Sequence, residues 1–144
     1  MKYFISHESF SIKEAVKLKE LLEVINNEHT LFLTSDWNSL QAGNLWMSDI
    51  ITALQEMDEM IVIITRKETF RNLWINFEIG AAIGRGKKPK VLVFGGINLN
   101  DMEYPMKGIH VISTGDTNRW TLEFKHLGYE IQNPEPFAQL FLQK

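Results

Sequence analysis

Few residues in this chain have the type and setting to do chemistry. Glu78 lies in a mostly apolar stretch, Phe70–Arg85, where Phe70, Trp74, Phe77 and Ala81 recur at helical spacing. At about 100° per residue, Glu78 falls about 40° from Trp74, at the edge of the buried stripe those residues predict. A carboxylate there is partly desolvated, which costs free energy unless it has a partner. Two readings stay open. Glu78 reaches past the stripe to solvent or to Arg85 or Lys87, or it is a buried acid with a chemical task. Trp74, one turn earlier on the same side, either walls a bound ring or packs into the core.

A second polar run, Ser35–Gly43, holds Trp37 and Leu40, and Trp46 follows just beyond it. A loop tryptophan packs back onto its domain, or marks an interface or a ring-stacking site. Ser6 closes a first strand candidate, Tyr3–Ser6, His7 directly follows it, and the two complete the candidates. Other chemistries lack their residues. The chain has no cysteine, which excludes a disulfide framework, thiolate zinc and a Cys nucleophile. His7, His29, His110 and His126 show no metal-ligand spacing, and no metal is expected. Gly84-x-Gly86-Lys87-Lys88 lacks the Ser/Thr and the strand–helix setting of a phosphate loop, and reads as a helix stop with solvated lysines. No Gly-x-Gly-x-x-Gly follows the first strand, and no Gly-x-Ser-x-Gly is present.

The elements that must position these residues alternate. Strands are predicted at Tyr3–Ser6, Thr30–Thr34, Met60–Thr65, Pro89–Gly95 and Ile109–Ser113. The first helix opens at Ser11, where Ser-x-x-Glu with Glu14 reads as a capping box, and Ala15, Leu18, Leu22 and Ile25 form its stripe. Leu45–Met57 and Phe70–Arg85 follow as the second and third helices, then Thr117–His126 and Pro134–Gln143, the last with Asn133 as its cap. Met60–Thr65 is almost wholly apolar, as in a central parallel strand covered on both faces. This alternation predicts a three-layer α/β/α fold around a mainly parallel five-stranded sheet. Right-handed crossovers leave a flavodoxin-like or Rossmann-like strand order. The ligand crevice of such sheets lies at the carboxyl ends of the strands.

The 144 residues make one domain of ordinary composition, 44% apolar and 23% charged. A net charge of −3 gives no basic footprint for nucleic acid or a membrane surface. The apolar runs are strand-sized, the N-terminus does not read as a signal peptide, and a cytoplasmic protein is expected.

From Tyr3 to about Lys107 the chain resembles the TIR (Toll/interleukin-1 receptor) domain family. Tyr3-Phe4-Ile5-Ser6-His7 is similar to the family's first-strand signature. Asp36 to Leu54, with Leu40-Gln41-Ala42-Gly43 and then Trp46, Ile50 and Ala53-Leu54, is similar to its BB loop and following helix. Met60–Thr65 resembles the central strand, and Trp74-x-x-x-Glu78 with Ala81-Ala82 resembles the third helix. Pro89–Phe94 and Tyr104-Pro105 resemble the fourth strand and the later proline.

The resemblance implies a flavodoxin-like sheet of order 2-1-3-4-5 spanning residues 1–144 as a single TIR domain. It also implies one of two functions. TIR enzymes cleave NAD+ at the nicotinamide–ribose bond using the glutamate that Glu78 matches, whereas adaptor TIR domains assemble and typically lack it. Glu78 tilts the choice to an NAD+ nucleosidase or cyclase, with a non-catalytic scaffold as the alternative. Ser6, His7, Ser35, Trp37, Trp46 and Trp74 are then the substrate-binding candidates. Glu8 ranks below them, because it would repel phosphate. Gln41, Ala42, Gly43, Asn44 and Leu45 are the expected self-association surface. NAD+ is a substrate here and no cofactor is required. A sensor or effector protein and a role in prokaryotic antiviral defence complete the expectation.

Overall fold

Along each strand, alternate residues enter opposite faces, and both faces are apolar. Tyr3, Ile5, Leu31, Leu33, Ile61, Ile63, Leu92 and Ile112 line one side; Phe4, Met60, Val62, Ile64, Val91 and Val93 line the other. A sheet with two apolar faces needs helices on both. The computed structural model, which describes residues 1–34 and 45–142, shows that arrangement.

The elements run β1 (Lys2–Ser6), α1 (Ile12–Ile25), β2 (Thr30–Leu33), α2 (Leu45–Glu56), β3 (Glu59–Ile64), α3 (Leu73–Gly84), β4 (Lys90–Val93), β5 (His110–Ser113), α4 (Thr117–His126) and α5 (Glu135–Phe141). All strand pairs are parallel, and the order is β2-β1-β3-β4-β5. The fold is therefore flavodoxin-like α/β. α1, α4 and α5 cover one face through Leu18, Leu22, Trp120, Phe124, Phe137 and Phe141. α2 and α3 cover the other through Ile50, Leu54, Ile75, Ile79 and Ala82. No described helix is long and apolar enough to cross a membrane.

Ser35, Trp37, Gln41, Ala42, Gly43 and Asn44 lie outside the described residues, as do the side chains of Leu45 and Trp46.

Three local expectations need correction. First, the third helix does not begin at Phe70. A 3-10 turn, Lys67–Arg71, comes first, and the helix starts at Leu73 behind an Asn72 cap. Phe70 therefore cannot set the helix phase. Second, the fully buried face of α3 is Ile75, Glu78, Ile79 and Ala82; of the expected stripe, Phe70 is buried in the preceding turn, Trp74 and Ala81 pack partly buried, and Phe77 is 48% exposed. Glu78 flanks that face, on the side toward Trp74, and is fully buried rather than partly desolvated. Third, Ser11 does not form a capping box. A 3-10 turn, Ser9–Ser11, precedes α1, so Ser11 lacks the extended backbone of a cap, and its hydroxyl meets Thr65 Oγ1 at 2.6 Å.

Helix stops follow glycine conformation. Gly86 ends α3 and Gly128 ends α4, with φ of 77° and 89°, in the left-handed region that glycine enters without a Cβ clash.

Candidate active site

β1 ends at Ser6. Because side chains two apart on a strand share a face, Ser6 points the same way as Phe4, toward α2 and α3. On α3, Asn72 Oδ1 accepts the Ile75 N–H at 3.0 Å and anchors the first turn. Glu78 follows on the second turn, facing inward. The two elements meet at one short contact: Ser6 Oγ–H donates to Glu78 Oε1 at 2.7 Å.

Both residues are 0% exposed. Glu78 Oε2 is also buried and has no hydrogen-bond partner among the described residues. The Trp74 indole N–H lies near enough to favour the charged form of the carboxyl, but short of full hydrogen-bond geometry to it. Burial dominates and pushes Glu78 up to about 8, against the smaller opposing pull of Ser6 and Trp74. No lysine, arginine or histidine occurs in 35–46, so that segment cannot supply a cation. This overturns the reading in which Glu78 reaches solvent or pairs with Arg85 or Lys87. Arg85 instead donates to the Leu54 carbonyl.

His7 is buried beside Ser6. Its backbone N–H donates to Thr34 Oγ1 at 3.4 Å, and Thr34 Oγ1–H donates to its carbonyl at 3.3 Å, tying the ends of β1 and β2. Its Nδ1 lies 2.9 Å from the Glu8 carbonyl oxygen. Trp74 is half-buried and stacks on Phe77, with ring centroids 5.2 Å apart. The structure thus brings Ser6, Trp74 and Glu78 together and sets His7 next to them along β1.

Four residues near this site were not singled out as a group by sequence. Glu8 accepts from Arg66 Nε at 2.7 Å, Arg66 Nη2 at 3.2 Å, Thr69 Oγ1 at 2.5 Å and Asn72 Nδ2 at 3.4 Å. Burial pushes the Glu8 carboxyl up, but these donors outweigh it and hold the acid below its ordinary value. With Arg66 paired to it, Glu8 is no bare negative charge facing a phosphate. Asn72 before an apolar run is a readable cap signal. The Glu8–Arg66 pair joins residues 58 apart and leaves no local trace.

Among the described residues, no group of three or more His, Asp or Glu side chains could hold a metal ion. No protein-family model matches the chain, and no curated protein matches it.

Proposed function

We propose that this chain is a TIR-type domain in which Glu78 cleaves NAD+ at the nicotinamide–ribose bond. The observation that carries the proposal is the pairing of a fully buried glutamate with Ser6 at the carboxyl end of a central strand, one carboxylate oxygen left unbonded among the described residues. That is where open parallel sheets bind ligands. A structural glutamate is seldom buried without a cation.

The chemistry needs little else. The bond from the ribose anomeric carbon to the ring nitrogen breaks, and its electron pair stays on nicotinamide, which leaves neutral. No acid is needed for that departure, unlike the two-carboxylate cleavage of O-glycosides. Positive charge passes to the ribose. The Glu78 carboxylate accepts hydrogen bonds from the ribose hydroxyls and stabilises that cation. Water then adds to the anomeric carbon and releases a proton, giving ADP-ribose; an adenine nitrogen or ribose hydroxyl acting instead gives a cyclic isomer. The free chain holds Glu78 mostly protonated at neutral pH. A cationic nicotinamide within about 4–6 Å favours its ionised form, so the substrate itself promotes the active state. Because Glu78 is fully covered, this reading requires its cover to be displaced before the ribose arrives. Self-association through Gln41–Leu45, or a partner protein, is the proposed trigger.

The test is nicotinamide release from NAD+ at high protein concentration, with products identified by mass. Glu78→Ala is expected to lower the rate by about 10²–10³. Unchanged release in that variant removes Glu78 from the reaction.

One observation favours assembly without catalysis. α3 turns an apolar face outward, with Leu73 87% exposed and Phe77 and Ile83 each 48% exposed. A scaffold predicts concentration-dependent association and no turnover at any concentration.

A further inference from the structure

α3 is apolar almost all round, and hydrophobic burial is non-directional, so burial alone does not set the helix's axial position closely. One residue of helix rise is 1.5 Å, enough to break the Ser6–Glu78 hydrogen bond. Something directional must hold the register. We infer that Glu8 is that positioning residue, a strut that locks α3 lengthwise so that Glu78 meets Ser6. Its importance for catalysis rests on the function proposed above; its mechanical role does not.

Glu8 stands two residues beyond Ser6, on the segment that leaves β1. Its side chain is only 8% exposed. Its carboxylate gathers donors from three successive parts of the β3–α3 connection: Arg66 after β3, Thr69 in the 3-10 turn, and Asn72 at the helix cap. That turn is closed by its own backbone, Thr69 N–H to Arg66 O at 3.1 Å and Asn72 N–H to Thr69 O at 3.0 Å. Arg66 is held from a second side by the Phe10 ring, 4.0 Å from the guanidinium carbon. Asn72 uses both ends of its amide: Nδ2 donates to Glu8 while Oδ1 caps α3. Thus Ser6 and Glu8 lie close together on one segment, Asn72 and Glu78 on another, and the carboxylate of Glu8 joins them.

The experiment follows the Glu78 carboxyl carbon by NMR against pH in the full chain, for wild type, Glu8→Gln, Asn72→Ser and the double variant. Ser at position 72 still caps the helix but cannot reach Glu8, so a folded variant is available even if Glu8→Gln is unstable. Each single variant is expected to lower the Glu78 midpoint by about one pH unit or more as the site loosens and admits water. The double variant is expected to add nothing further, because both changes cut the same strut. Nicotinamide release should lose about 10²-fold in kcat with little change in KM. An unmoved midpoint in the folded variants, or shifts that add, overturns the positioning role. Wild type that releases no nicotinamide while the midpoint still moves overturns the catalytic reading and leaves the strut standing.

Discussion

Replacing Glu78 by Gln should make the protein more stable, and by an amount that depends on pH in a calculable way. The folded chain holds the Glu78 proton to about pH 8, whereas the unfolded chain releases it near 4.5. The folded value is raised, so the stability associated with neutral Glu78 is fully present below 4.5 and is lost as pH rises through 8. Between those limits the unfolded state is favoured by about 1.36 kcal/mol per pH unit. At pH 7 the accumulated penalty is about 3 kcal/mol, and above pH 8 it levels off at about 5 kcal/mol. Gln keeps the shape and can still accept from Ser6, but never ionises. Glu78→Gln should therefore match wild type near pH 4.5, gain about 3 kcal/mol at pH 7 and reach its plateau above pH 8. Urea unfolding at a series of pH values measures this directly, and carboxylates elsewhere cancel in the difference between the two proteins. A difference that stays flat across this range would refute the idea that Glu78 is buried without a compensating cation. The expected gain at the proposed reactive residue, set against its expected loss of activity, is the trade-off of an acid retained for chemistry.

Two further outcomes are expected. If ionised Glu78 is the active form, kcat/KM for nicotinamide release should rise up to tenfold per pH unit below about 8 and level off above it; a profile that is flat or falls through this range counts against that assignment. Gly128→Ala should cost about 1–3 kcal/mol, read as a lowered Tm, because φ is 89° and a Cβ would meet His29 Cε1 at 3.0 Å, whereas Gly80→Ala, with nothing within 4 Å, should be neutral or stabilising.

The sheet and its two helical layers were legible in the residues themselves. Strand–helix alternation with a wholly apolar Met60–Ile64 leaves few topologies, because crossovers are right-handed and both faces must be covered. α4 was legible to the residue, at Thr117–His126, because Asp116 and Gly128 bound it by local chemistry. The phase of α3 was not. Its residues are apolar almost all round, so periodicity carries little information, and a 3-10 turn displaced the start from Phe70 to Leu73.

Sequence alone therefore determined that a glutamate would stand on a helix beside the carboxyl end of a parallel sheet, because local patterns and chain chirality decide that much. Only the tertiary structure decided that this glutamate faces inward and bonds Ser6, and that Glu8 gathers Arg66, Thr69 and Asn72 at the entry to α3. Those contacts join segments 58 to 72 residues apart, and pairings at such separation arise from how the layers pack, which no local pattern encodes.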